Sequence, residues 1–127
     1  MNILVVDDET DIQPLFEQRF RREIRSGEFR FTFANSGEQA LERLKELTSE
    51  AVLILSDINM PGMSGLELLR HIKEDFRMPP PPIVMMITAY GDAQSHAEAM
   101  QLGADDFLTK PLDFTQLKEK LKPLKHG

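Results

Sequence analysis

The sequence predicts an α/β fold on a mostly parallel sheet, and three observations predict it. Short continuous apolar runs recur along the chain, segments of helical period separate them, and the resulting β-α unit repeats five times. That order implies right-handed crossovers, with helices on both faces of one sheet. Ile3-Leu4-Val5-Val6, Val52-Leu53-Ile54-Leu55 and Ile83-Val84-Met85-Met86-Ile87 are the first, third and fourth strands, apolar throughout because both of their faces are covered. Phe29, Phe31 and Phe33 alternate with Arg30 and Thr32, the period of a strand with one less buried face, which places the second strand at an edge. Asp106-Phe107-Leu108-Thr109 forms a short fifth strand ahead of Lys110-Pro111.

Between the strands the period becomes helical. Ile12, Leu15, Phe16, Phe20 and Ile24 share one face of a first helix that starts near Asp11, with Pro14 tolerated in its first turn. Ser36 with Gln39, and Ser64 with Glu67, fit the reciprocal cap that opens a helix. The second and third helices follow, with buried stripes of Leu41, Leu44 and Leu47, then Leu68, Leu69 and Ile72. Asp92 and Asp113 cap the fourth and fifth helices, and Gly103 ends the fourth. The run from Pro79 to Pro82 must be extended and connects two elements of the same domain.

At 127 residues the chain is one domain, able to bury roughly two thirds of the surface its unfolded form exposes. Hydrophobic residues at 41% and charged residues at 28% put it among globular chains, away from disordered ones. The absence of cysteine excludes a disulfide framework, a thiolate zinc site and a cysteine nucleophile, and fits a reducing compartment. A net charge of -6 argues against a basic surface for nucleic acid or anionic lipid. No run approaches the ~18 apolar residues of a membrane span, and Met1-Asn2 leads straight into the first strand, so the expected location is cytoplasmic. His71 and His96 have no second ligand at metal spacing, while Met60, Met63, Met85, Met86 and Met100 read as core filler. Arg19, Arg21, Arg22 and Arg25, and the basic end of the fifth helix (Lys118, Lys120, Lys122, Lys125 and His126), read as solvated faces.

Chemistry concentrates in the acids. In an open α/β sheet the ligand crevice lies outside the carboxyl ends of the strands where strand order reverses, which in a five-stranded 2-1-3-4-5 sheet is between strands one and three. Asp7 and Asp8 follow strand one and Asp57 follows strand three, so three carboxylates meet in one small region. Three such charges cannot all ionise comfortably without a cation, and all-oxygen donors suit a hard ion such as Mg²⁺. Acids after strands also serve as helix caps, but here Lys110 reaches the same crevice, and the Thr88 hydroxyl at the end of strand four is expected to point into it.

Val5-Val6-Asp7-Asp8-Glu9, the string Ser56-Asp57-Ile58-Asn59-Met60-Pro61-Gly62-Met63-Ser64-Gly65, Thr88-Ala89, and Gly103-Ala104-Asp105-Asp106-Phe107-Leu108-Thr109-Lys110-Pro111 occur in that order. Together they resemble the receiver (CheY-like) domain of two-component response regulators, over residues 1–127 as a single domain. The resemblance implies a flavodoxin-like (βα)5 doubly wound sheet with strand order 2-1-3-4-5. It further implies that Asp57 takes a phosphoryl group from a phosphohistidine of a histidine kinase or histidine phosphotransfer protein. Asp8 and Asp57 would bind Mg²⁺ directly, Asn59 through its backbone carbonyl, and Asp7 mostly through a water. Lys110 would neutralise phosphoryl oxygens, and Thr88 and Phe107 would form the switch. Signal would leave through the face made by helix four, strand five and helix five, toward an output domain or effector protein. The domain itself would bind no nucleic acid, and would be a monomer or a weak phosphorylation-dependent dimer. Lys110-Pro111 would carry a cis peptide, and Tyr90 with Asn59 would flank and shield the acyl phosphate. On this reading the chain phosphorylates and dephosphorylates only itself and is not an enzyme toward other substrates.

The expected charges support this chemistry. Three carboxylates, Mg²⁺ and Lys110 sum to zero, and phosphorylation replaces one carboxylate by a group of roughly -1.5 to -2 at pH 7. Three other readings compete with the phosphoacceptor one. A metal-dependent Asp-nucleophile phosphohydrolase needs an acid two positions after the nucleophile, where this chain has Asn59. A flavodoxin-like cofactor binder needs a loop of backbone donors after strand one, where Asp7-Asp8-Glu9 would repel phosphate. An unphosphorylated pseudo-receiver has no use for the full set of acids, Thr88 and Lys110.

Overall fold

Five parallel strands form one sheet in the order β2-β1-β3-β4-β5. They are β1 Asn2–Val6, β2 Arg30–Ala34, β3 Val52–Asp57, β4 Ile83–Thr88 and β5 Asp106–Thr109. The helices are α1 Ile12–Arg19, α2 Arg21–Ser26, α3 Gly37–Glu46, α4 Gly65–Asp75, α5 Ala93–Gln101 and α6 Phe114–Leu121, followed by a 3₁₀ turn at Lys122–His126. The structure is a computed structural model and describes residues 1–47, 52–76, 81–89 and 91–126. Pro79 and Pro80 of the proline run, and Tyr90, lie outside the described residues.

Alternation along the strands divides the core in two. On β1, Leu4 and Val6 face α3, α4 and α5 and pack with Ile54, Val84, Met86, Leu44, Leu68, Leu69 and Ile72. Ile3 and Val5 face the opposite side and pack with Leu53, Leu55, Leu108, Phe16, Phe20, Leu117 and Leu121. Both faces of the central strands are thus covered, as their unbroken apolar runs require. Phe16 packs against the rings of Phe20, Phe31, Phe33 and Phe114, tying the first helix, the edge strand and α6 together.

The first helix departs from its sequence reading. It breaks at Phe20 (φ -111°, ψ 26°) into α1 and α2, so the fourth and fifth helices of the β-α series are α5 and α6 here. Phe16 and Phe20 remain fully buried, while Leu15 is 44% and Ile24 38% exposed. At about 100° per residue, a stripe centred on Phe16 leaves Leu15 on its shoulder, and the break turns Ile24 out of phase. Met100, expected in the core, is 60% exposed.

The caps form as their residue types dictate. Ser36 Oγ accepts the Gln39 N–H at 3.1 Å, and the Gln39 amide oxygen reaches back to the N–H of Asn35, one residue before the cap. Ser64 Oγ accepts from Glu67 N–H, Asp92 from Ser95 N–H, and Asp113 from Thr115 and Gln116. At the end of α5, Gly103 (φ 96°) adopts a left-handed turn in which Ala104 N–H bonds Ala99 O and Gly103 N–H bonds Met100 O.

Gly65 has a role beyond helix initiation. A β-carbon there would overlap the carbonyl oxygen of Asp57 and lie 2.7 Å from Ile58 Cα, because α4 starts directly against the end of β3. Its N–H donates to Ile58 O at 2.8 Å. Gly65→Ala is expected to lower stability by about 1–3 kcal/mol, since neither backbone segment can move without disturbing the sheet. Urea unfolding would measure it, and a change below about 0.5 kcal/mol, the scale of an indifferent surface substitution, would contradict this packing.

Candidate functional site

The sheet register brings the acids together. Val6 pairs with Ala34 on one side and Ser56 on the other, so Asp7 emerges beside the end of β3. Asp7 N–H continues the ladder to Ala34 O, and Asp57 is itself the last residue of β3, paired with Ile87 of β4. Ligand oxygens of Asp7, Asp8 and Asp57 lie within 4.8 Å of one another. Asp57 is 3% exposed, Asp7 is buried and Asp8 is exposed. An all-carboxylate cluster of this spacing is a donor set for a hard divalent cation, so these residues fit Mg²⁺.

Both oxygens of Asp57 are engaged. Lys110 Nζ donates to Oδ2 at 2.7 Å, and Asn59 N–H donates to Oδ1 at 3.3 Å. Lys110 stands one residue past β5, where its N–H bonds Thr88 O at 2.8 Å, and its peptide bond to Pro111 is cis. The site therefore assembles residues from β1, β3 and β5 around one carboxylate.

Thr88 is placed differently from its sequence reading. It is buried at the end of β4, but its hydroxyl donates to Leu108 O of β5, at 3.5 Å, instead of pointing into the crevice. Phe107 is half-buried in β5, paired with Met86 of β4, and its ring lies 3.9 Å, centroid to centroid, from the ring of His96 on α5. His96 had no expected role, and its contact with Phe107 carries no signal in the sequence. His71 Nδ1 lies 3.7 Å from a carboxylate oxygen of Asp75 one turn on.

Burial pushes the Asp7 carboxyl above its ordinary value of 3.8; the Glu9 N–H on Oδ1 opposes this, the Asp57 charge adds to it and Lys110 opposes it. Burial also disfavours the Lys110 ammonium, but the hydrogen bond and charge of Asp57, then Asp7 and Glu9, outweigh that and raise its pKa. Asp7 therefore holds its proton more tightly in the folded chain than in the unfolded one. Without metal, its contribution to stability falls as pH rises from 3.8 through its folded value. Asp7→Asn is accordingly expected to raise the urea midpoint of chelated protein at pH 7, with the gain vanishing in acid. A lower midpoint at pH 7 would show Asp7 to be a net stabiliser.

A recess of about 210 Å³ opens beside Lys110, walled by Ile12, Ile87, Pro111 and Leu112 and edged by Asp7 and Glu9. Among the described residues no helix is long and apolar enough to cross a membrane.

Known proteins share this pattern. A family model of the response regulator receiver domain matches residues 3–122. The chain is 33% identical over 124 residues to the response regulator RppA of Synechocystis, covering 98% of this chain and 50% of that protein. It is 36% identical over 127 residues to the transcriptional regulatory protein ZraR of Escherichia coli, covering 99% of this chain and 27% of that protein. It thus spans half or less of these curated relatives. Among solved structures, a receiver domain protein from Clostridium thermocellum superposes with a TM-score of 0.82 at 26% identity, covering 98% of this chain and 94% of the other.

Proposed function

The chain belongs to the response regulator receiver family, and from that premise we propose that Asp57 accepts a phosphoryl group from a phosphohistidine of a histidine kinase or histidine phosphotransfer protein. In the transfer an Asp57 oxygen–phosphorus bond forms, the phosphorus–nitrogen bond breaks, and the electron pair returns to the imidazole. The observation that carries this reading is the contact of Lys110 Nζ with Asp57 Oδ2 inside a cluster of three carboxylates. Phosphoryl transfer is mostly positioning and charge neutralisation, and a fixed lysine beside the acceptor supplies both on one side of the phosphorus. Asp7, Asp8 and Asp57 would hold Mg²⁺, with the backbone carbonyl of Asn59 as a further donor. The ion supplies positive charge to the phosphoryl oxygens. The recess beside Lys110 gives the donor imidazole an apolar wall for its approach.

The switch follows from the two neighbours of the site. On phosphorylation the Thr88 hydroxyl leaves the carbonyl of Leu108 for a phosphoryl oxygen, and the ring of Phe107 moves into the space released. A local charge change redirects partners only when two packings differ in affinity, and this pair provides the second packing. The α5–β5–α6 face would then control an output domain or effector, by contact or by weak dimerisation. Residues 1–127 form one cytoplasmic receiver domain on this reading, catalysing only its own phosphorylation and slow hydrolysis.

The test is incubation with acetyl phosphate and Mg²⁺ followed by intact-mass measurement. One added phosphoryl group is expected, and none when the metal is chelated. No addition under either condition would favour a pseudo-receiver, and addition insensitive to chelation would remove the role given to Asp8.

A further inference from the structure

A second charged feature lies away from the acids. α1 follows the Asp7-Asp8 loop, and after the break at Phe20 the chain reaches the start of β2, where Phe29 N–H donates to Glu23 O at 3.2 Å. There Gln18, Arg19, Arg21, Arg22, Glu23 and Lys118 line an open groove of about 450 Å³ between the broken helix and α6. Its four cations face one carboxylate, Glu23, which pairs with Lys118 at 3.5 Å. Among the described residues, Arg19, Arg21 and Arg22 take part in no salt bridge. The chain as a whole carries a net charge of -6, yet this groove holds four cations and a single carboxylate among its lining residues.

Two of the cations are preorganised. The Arg19 guanidinium lies 5.7 Å from the centroid of the Phe114 ring, and Lys118 Nζ lies 5.2 Å from that of Phe20. Stacking of this kind reduces the side-chain freedom that an ion pair must otherwise remove. Guanidinium groups match carboxylates and phosphates edge to edge. An open groove does not enclose a small ligand, and a nucleic-acid backbone needs a longer basic track than a local patch on an acidic domain. Ile24, which directly follows the groove residue Glu23, is 38% exposed and offers an apolar surface next to these charges.

We infer that this groove docks a carboxylate-rich segment of a protein, with the arginines pairing its acids and Ile24 taking an apolar side chain. The site is independent of Asp57, so its test does not depend on phosphorylation. ¹⁵N-labelled chain would be titrated with the peptide Glu-Glu-Leu-Glu-Glu-Leu and, separately, with a 12-base-pair DNA duplex. Saturable amide shifts confined to residues 18–24 and the middle of α6 are expected with the peptide. Both arginines of R21E/R22E are exposed, and this variant should bind the peptide at least tenfold more weakly, R21Q/R22Q less so, with acetyl phosphate labelling unchanged in both. No groove shifts at millimolar peptide, equal affinity of the variants, or tighter binding of the duplex at the same amides would overturn the inference.

Discussion

Asp57→Asn is expected to abolish phosphoryl uptake from acetyl phosphate while leaving the fold intact. The amide keeps the size of the carboxyl and can still accept the N–H of Asn59, which lies 3.3 Å from Oδ1 in the native chain. It lacks the anionic oxygen that would attack phosphorus, and Asp7 and Asp8 follow a different strand, β1, while the Lys110 ammonium contacts position 57. Uptake should therefore fall below detection in an intact-mass spectrum. The substitution also removes one of three crowded negative charges, so stability in chelator should not fall sharply, although Lys110 loses its partner. A variant that is folded and still labelled would transfer the acceptor role elsewhere.

Lys110→Ala carries the second large effect. Its ammonium is fixed 2.7 Å from Asp57 Oδ2, and its backbone N–H is tied to Thr88 O, so on the proposed reading the charge is in place before phosphorus arrives. Removing a preorganised donor of this kind typically costs about 10²–10³-fold in rate. The labelling rate should fall by that factor with the metal requirement intact, and Lys110→Arg should restore only part of it, because a planar fork does not occupy the place of a point charge. A rate within about twofold of native would mean that Lys110 neutralises Asp57 at rest and does nothing for transfer.

The acid site was legible because strand patterning and the switch-point rule act together. Once Ile3–Val6 and Val52–Leu55 read as adjacent parallel strands, the residues after them share one edge, and Asp7, Asp8 and Asp57 need no contact information to be grouped. The same topology brought Lys110 and Thr88 to the crevice, the family resemblance added Asn59 and Phe107, and the structure places Lys110 on Asp57. The Thr88 hydroxyl and the His96–Phe107 contact were not legible, since side-chain direction at a strand end and packing between α5 and β5 depend on tertiary spacing. The break at Phe20 was equally hidden, because Arg19-Phe20-Arg21-Arg22 contains no glycine or proline to mark it. Gly65 could have been found: a glycine directly after a capping serine, where alanine favours the helix, signals close backbone approach.

Peptide mapping of the labelled chain tests the phosphoacceptor reading most directly. Protein incubated with acetyl phosphate and Mg²⁺ would be reduced with borohydride, which converts an aspartyl phosphate to homoserine, then digested and sequenced by mass. Conversion at position 57 alone, lost when the metal is chelated, is the expected result. Conversion at Asp7, Asp8 or any other carboxylate, with position 57 unmodified, would contradict it.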